Sequence, residues 1–465
     1  MTRKLRLRLV SLHLCSGLLL SALALTGCRG SRPPLERHPG RNVVLITIDT
    51  LRADHVGFYH YERPTTPNID RLAARSISFG NAVSPSSWTL PAHASLLTGL
   101  QPAEHGVVAD VNALPRSAPT LATILSRHGY QTFAAVSHVY LGHRWGFDRG
   151  FDVFDETAAA DSPHRPVAAR IVNKALAWLE QRRTDRPFFM WLHIFDPHWD
   201  YSPPPPYDRM FDPDYRGSMR GDYESLKPYI KEVAHYETPP PLAPRDLQHV
   251  VALYDGEIAY VDAQLGRLFE RLEQPDLATR TVIVLVADHG EEFMEHGSLE
   301  GHQWTLYDEV LLVPWILHFP EERFAGLHFE PEVSTVTLAG TLLDYLGIEH
   351  TKPSLYRMVA DPHYRWPDPV VLSDLTVRRQ RRLVALRLTN FKLIEEVGGP
   401  AWLYRIPHRG EKENVIDRYP RIASRMRAKI DEILASLKPL PDAGAMREPL
   451  DAATRERLRA TGYLR

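Results

Sequence analysis

The sequence predicts an α/β protein: a doubly wound, mixed but mainly parallel sheet flanked by helices, followed by a smaller α+β region. Two observations carry the sheet. Asn42-Val43-Val44-Leu45-Ile46-Thr47-Ile48-Asp49 and Thr281-Val282-Ile283-Val284-Leu285-Val286-Ala287-Asp288 are continuous β-branched runs, the pattern of strands buried on both faces. Between such runs lie helical patterns over 68–76, 91–98, 120–128, 167–182, 247–272 and 333–346, and strands alternating with helices give a doubly wound sheet. A third run, Phe188-Phe189-Met190-Trp191-Leu192-His193-Ile194-Phe195, reads as another strand.

At the N-terminus, Arg3, Lys4, Arg6 and Arg8 precede a mostly apolar stretch from Leu9 to Leu25, the layout of a secretory signal peptide. It ends in Leu25-Thr26-Gly27-Cys28, which resembles a bacterial lipobox. Residues 1–27 are therefore expected to be a lipoprotein signal, with lipidated Cys28 as the membrane contact. Residues 28–41, rich in Arg, Pro and Gly, are expected to be a tether. This places the chain outside the cytoplasm, anchored in a bacterial envelope on its periplasmic face or cell surface. An uncleaved anchor is the alternative, although the run is near the lower limit of about 20 residues for a span.

Beyond the tether the composition is that of a globular body: 465 residues, 44% hydrophobic, 24% charged, with a formal net charge of -2. A near-neutral chain without basic runs offers no field for nucleic acid. Only Cys15 and Cys28 occur, both in the signal region, so the mature fold is expected to hold no internal disulfide.

In the long helical pattern, Tyr254, Ile258, Val261, Leu265, Leu268 and Phe269 form the packing stripe, and Asp255, Glu257 and Asp262 read as solvated or capping acids. Between Tyr201 and Pro244, prolines alternate with tyrosines; an ordered loop of this length reads as a binding lid, a linker being the alternative. The expected main domain spans 42–351 and the C-terminal subdomain 352–465. In the latter, 370–372, 383–386 and 391–394 are short strands and Ile422 to Leu437 an amphipathic helix.

Chemistry concentrates where strands end. Ligands of open α/β sheets collect outside the carboxyl ends of the strands, which would bring Asp49, Asp288 and His289 to one crevice. Trp88-Thr89-Leu90-Pro91 reads as a hydroxyl entering a helix, where free N–H groups and the helix dipole favour an oxyanion. Asp49, Asp288 and His289, with Thr89 as a fourth ligand, make a divalent metal site. A threonine hydroxyl needs such activation near neutral pH. His198 and His302 are the candidate proton carriers, since imidazole titrates near working pH. A surface-loop role competes for His302, and Asp196 reads as a turn former or a second-metal ligand. His296 reads as solvated.

At this point the chain resembles the sulfatase branch of the alkaline phosphatase superfamily. The carrying residues are Val44 to His55, Arg63-Pro64-Thr65-Thr66-Pro67-Asn68, the Thr89 loop, Asp196-Pro197-His198, Ala287-Asp288-His289-Gly290-Glu291-Glu292, Leu306-Tyr307-Asp308-Glu309, Phe391-Lys392-Leu393-Ile394, Trp402-Leu403-Tyr404 with Glu413-Asn414, and Leu458 to Leu464. The resemblance implies an alkaline phosphatase-like fold, with a C-terminal subdomain packed on the main sheet, and an ester hydrolase that works through a covalent intermediate.

Three departures bear on the reaction. Thr89 stands where the family has the Cys or Ser converted to formylglycine, and Thr cannot be converted that way. His93 replaces the arginine of the same motif and would face the anion in its role. The paired acids become Asp49-Thr50, and Asp-Asn becomes Asp288-His289. An imidazole in place of oxygen ligands favours manganese or zinc over calcium for the single ion. The family's glycine-lysine segment has no counterpart around Ser137-His138.

The expected reaction is metal-dependent cleavage of a phosphate or sulfate ester, of a glycan or lipid among the candidates, through Thr89, with a phosphoester or phosphodiester favoured. A formylglycine-free sulfatase, a phosphotransferase and an inactive ligand-binding surface lipoprotein are the alternatives.

Overall fold

A computed structural model describes residues 35–160, 166–230, 239–361, 371–377, 381–406, 410–447 and 449–460. The signal, Cys15, Cys28 and most of the expected tether lie outside them. Among the described residues no helix is long and apolar enough to cross a membrane.

The elements follow in chain order as β1 (Asn42–Ile48), α1 (Pro67–Ala73), β2 (Ile77–Val83), α2 (Thr89–Thr98), α3 (Leu121–Arg127), β3 (Gln131–Ala135), β4 (Val153–Asp155), α4 (Ala168–Gln181) and β5 (Phe188–Ile194). Next come α5 (Pro244–Leu272), β6 (Thr281–Ala287), β7 (Trp315–His318), β8 (Leu327–Ser334) and α6 (Leu338–Leu346). The C-terminal region holds β9 (Val371–Val377), β10 (Arg381–Leu388), β11 (Phe391–Glu396), β12 (Ala401–Arg405) and α7 (Pro420–Ser436).

The main sheet runs β8-β2-β7-β6-β1-β5-β3-β4, with the short strand Leu312–Val313 added on β2. From β6 to β4 every pairing is parallel, whereas β7 runs antiparallel to both neighbours. All seven residues of β1, of β5 and of β6 are buried, which explains why these runs are apolar throughout rather than alternating. Asn42 pins the start of this core: its amide donates to Thr281 Oγ1 at 3.2 Å and its Oδ1 accepts from Phe188 N at 3.2 Å.

Register then positions the site. Ile48 pairs with Ala287 on one side and with Ile194 on the other, so Asp49 and Asp288 are the next residues on adjacent strands. Strands about 4.8 Å apart leave these acids side by side beyond the sheet edge.

Several elements depart from the periodicity reading. Helix α2 begins at Thr89 rather than Pro91, with Trp88 as its extended N-cap. The helix expected over 333–346 divides, because Val333 and Ser334 finish β8 against Ala82 and Val83; a 3-10 turn over Thr335–Thr337 precedes α6. The expected solvated acids of α5 are buried: Asp255 is 0% and Glu257 3% exposed. Asp255 meets His55 at 2.7 Å, Tyr61 at 2.6 Å and Arg63 at 2.6 Å, while Glu257 accepts from Ser202 N. Both faces of this 29-residue helix carry structure, so only Asp262 matches the capping reading: it accepts from Asn68 N and Ile69 N at the start of α1.

The C-terminal region is an antiparallel sheet, β9-β10-β11-β12, with α7 on one face and a core including Leu386, Leu393, Leu403, Met426 and Ile430. It joins the main body where Asp374 N and Ser373 Oγ donate to the carbonyls of Pro85 and Ser84, a few residues before Thr89. Arg387 and Lys392 reach Asp308 at 2.5 and 2.8 Å.

Candidate active site

Beyond the carboxyl ends of β1 and β6, Asp49, Asp288 and His289 converge, each 0–1% exposed. One ligand atom from each lies within 4.8 Å of the other two. His289 Nε2 is 3.4 Å from Asp49 Oδ1 and 3.5 Å from Asp288 Oδ2, and Thr89 Oγ1 is 3.3 Å from the same nitrogen. The oxygen of residue 89 thus faces the cluster that the strand ends assemble.

The tautomer of His289 follows from its other nitrogen. Nδ1 lies 2.9 Å from the Gly290 carbonyl, which accepts and never donates, so Nδ1 carries the proton and Nε2 presents its lone pair inward. Asp288 Oδ1 accepts from His289 N at 2.8 Å and leaves Oδ2 without a partner. Both oxygens of Asp49 lack a hydrogen-bond donor. Burial pushes both carboxyls well above the usual range, and for Asp288 the neighbouring Asp49 adds to it. Two adjacent buried carboxylates with unused oxygens, an inward imidazole lone pair and a hydroxyl fit a divalent cation, which would offset the charge the fold concentrates there.

The other expected residues lie around this centre. His302 is fully buried, its ring centroid 5.1 Å from that of His289, which excludes the surface-loop reading. Its Nδ1 pairs with Glu291 Oε1 at 2.9 Å. Burial alone would lower this imidazole, but Glu291, Glu300 and Asp49 outweigh it and carry it up to about 9. His198, 2% exposed, places its ring 5.0 Å from that of His302 and its Nδ1 against the Trp199 carbonyl. Burial, with His302 next to it, lowers His198 well below the usual range, and the two rings are inclined at 59° to each other.

His93 borders the cluster: its Nδ1 lies 2.9 Å from the Thr89 carbonyl and 3.4 Å from Asp288 Oδ2, and its Nε2 3.1 Å from Thr47 Oγ1. The ring thereby ties the first turn of α2 to β1. Asp196 accepts from Val167 N and Ala168 N at the start of α4, a remote cap that neither of its expected roles named, and burial raises its carboxyl to about 6. His296 is not solvated: its side chain is 11% exposed and its ring is stacked 3.5 Å from that of Tyr307.

Three residues went unread in the sequence. His193 Nε2 lies 3.4 Å from Asp49 Oδ2, and its signal was a lone imidazole inside the apolar run of β5. His138, 1% exposed, packs between the rings of His193 and His198, next to the end of β3. Glu291 stands in the segment from Ala287 to Glu292 that carries the family resemblance, but nothing local shows that its carboxylate meets His302.

Residues 41–348 match the family model for sulfatases. The chain is similar to the N-acetylglucosamine-6-O-sulfatase of Bacteroides thetaiotaomicron, 24% identical over 403 residues that cover 71% of this chain and 72% of the relative. It is similar also to the multifunctional alkaline phosphatase superfamily protein PehA of Trinickia caryophylli, 24% identical over 386 residues, 66% of this chain and 74% of the relative. Among solved structures, the phosphonate monoester hydrolase of Agrobacterium radiobacter superposes with a TM-score of 0.69 at 21% identity, over 88% of this chain and 100% of that one. With a family match over well more than half its length and the family's fold, the chain belongs to the sulfatase family of the alkaline phosphatase superfamily and is an ester hydrolase.

Proposed function

We propose that this chain hydrolyses a phosphoester, with a phosphodiester or a similar monoanionic phosphorus ester favoured over a sulfate ester, through a covalent ester on Thr89. The observation that carries the reading is the Thr89 hydroxyl at the first position of α2, 3.3 Å from the inward lone pair of His289, beside Asp49 and Asp288. Asp49, Asp288, His289 and Thr89 are the residues that would hold one divalent cation, manganese or zinc. Such an ion supplies charge compensation and lowers the pKa of a coordinated hydroxyl.

The remaining roles follow from the chain itself. Thr89 Oγ1, its proton released to solvent before the attack, adds to phosphorus as the alkoxide while the free N–H groups opening α2 hold the non-bridging oxygens. The leaving alcohol departs with the proton of His302, which Glu291 keeps charged; the bond from phosphorus to that alcohol breaks as the bond to Thr89 forms. Water then attacks the phosphorylated threonine and gives one proton to His302, which regains its charge beside His198, while the bond from phosphorus to Thr89 Oγ1 breaks and returns the alkoxide. His93 acts as a positioning residue: through the Thr89 carbonyl and Thr47 it fixes where α2 starts.

Phosphorus is preferred because a threonine alkyl ester of sulfate has no hydrolytic shortcut of the kind formylglycine gives, whereas a phosphothreonine ester can be displaced by water. A sulfatase without formylglycine is the second reading, favoured by relatives named as sulfatases. The substrate is an anionic ester, of a glycan or a lipid, and export as a Cys28-anchored lipoprotein would set it outside the cytoplasm. The test is a panel of nitrophenyl phosphate diesters, monoesters and sulfate with manganese or zinc supplied. Diester turnover that vanishes in Thr89→Ala supports the proposal, and activity on the sulfate alone refutes it.

A further inference from the structure

A second cluster stands beside the loop that carries His302 and takes no part in the proposed reaction. His296 lies between the two short strands of the hairpin Glu292–Phe293 and Leu299–Glu300, Glu309 lies in the helical turn Asp308–Leu311, and Glu411 arrives from beyond β12. One ligand atom from each lies within 4.8 Å of the other two. His296 Nε2 is 3.4 Å from Glu309 Oε2, and neither atom has a hydrogen-bond partner although the Glu309 side chain is only 9% exposed. Glu411, 3% exposed at its side chain, has Lys392 at 2.9 Å, but that ammonium is shared with Asp308 at 2.8 Å.

Charge makes the arrangement expensive as it stands. Glu292, Asp308, Glu309 and Glu411 are four carboxylates around His296 and Lys392, and the fixed cations among them are Lys392 and Arg387. Burial and this crowding push the Glu292 and Glu411 carboxyls up to about 7 each, the mark of acidic groups that the nearby cations do not fully compensate in a mostly buried region, where unpaired carboxylates are costly. A single divalent ion would balance them and use the unpartnered Nε2 and Oε2 together.

We propose that His296, Glu309 and Glu411 bind a second divalent cation, zinc or another transition ion that accepts an imidazole with two carboxylates. The site shares no ligand with Asp49, Asp288 and His289, and its three residues come from segments far apart in sequence. It would tie the hairpin that begins next to Glu291 to the C-terminal region, so that the loop between Glu291 and His302 is held from outside the reacting centre. Its role is structural.

The experiment measures zinc stoichiometry, not turnover, and so stands apart from the proposed reaction. Full-length chain carrying Asp49→Asn and Asp288→Asn is stripped with chelator and titrated with zinc alone. One retained equivalent, with a zinc-dependent rise in Tm, is expected. Adding the isosteric Glu309→Gln should weaken zinc binding at least tenfold and remove that rise, and His296→Asn should do the same. A double variant that binds no zinc overturns the proposal, as does a Glu309→Gln variant that folds and binds zinc as before. Should the added substitutions prevent folding, cobalt titration of the stripped wild-type chain decides: two equivalents with distinct absorption spectra support the second site, and saturation at one refutes it.

Discussion

Asp308 offers the sharpest stability test. It accepts from Arg387 Nη1 at 2.5 and 2.6 Å and from Lys392 Nζ at 2.8 Å, and these cations are 4% and 1% exposed. Replacing it by Asn keeps the shape and removes the charge. Lys392 then still faces Glu411 at 2.9 Å, whereas Arg387 is left with Glu332 at 3.9 Å. Breaking a buried ion pair costs about 3–5 kcal/mol. The Asp308 side chain is 22% exposed, so the lower end, about 3 kcal/mol, is the expected loss. With an unfolding entropy of about 2.1 cal/mol/K per residue over roughly 430 residues, that loss lowers Tm by about 3 °C. The pH dependence has a definite sign. Burial would raise the Asp308 carboxyl, but Lys392 and Arg387 override it and hold it below the usual carboxylate range. A depressed folded-state value adds stability that is fully present above the unfolded value of about 3.9 and is lost as pH falls below it. Urea denaturation of the wild type and Asp308→Asn at pH 7 and at pH 3.5 measures both effects. A difference below about 0.5 kcal/mol at pH 7, or a gap that widens on acidification, would refute the reasoning.

Three further outcomes are expected. Thr89→Ala should lower kcat by about 10⁴-fold or more while Thr89→Ser keeps measurable turnover; equal activity of the Ala variant removes Thr89 as the nucleophile. Chelator treatment should abolish turnover and manganese or zinc should restore it, with Tm rising by the mass-action amount as the ion is added; full activity after complete metal removal contradicts the site. Gly290→Ala would place its Cβ 2.0 Å from the Glu309 carbonyl, so both stability and activity should fall, checked by thermal unfolding and diester turnover, and a fully active variant would show that the His289 loop has room to yield.

The readable elements share one trait. Strands β1, β5 and β6 are covered on both faces, so their composition announces burial without any knowledge of the partner. The acids closing β1 and β6 stand out for the same reason, as charges at the end of an apolar run. His193 sits in such a run without marking itself, because a single imidazole does not break a strand pattern. Asp255 and Glu257 misread as surface acids because periodicity along a helix assumes one wet face, and α5 has hardly any: Arg63, His55 and Tyr61 cover one acid and Ser202 the other. The His93 expectation followed the motif position, whereas its direction depends on Thr47 of another strand.

Local sequence alone determined which segments become buried strands, where Thr89 meets a helix start, and that oxygen and imidazole donors terminate the apolar runs, because these depend on side-chain transfer energies and on neighbours within a few residues. Tertiary structure alone decided that β1 lies between β5 and β6 with Ile48 opposite Ala287 and Ile194, that the Glu291 carboxylate meets His302, and that Glu411 comes to His296. Those pairings join residues between about ten and over two hundred positions apart. Register and packing choose them by burying the greatest apolar area together, a sum over the whole fold that no single segment contains.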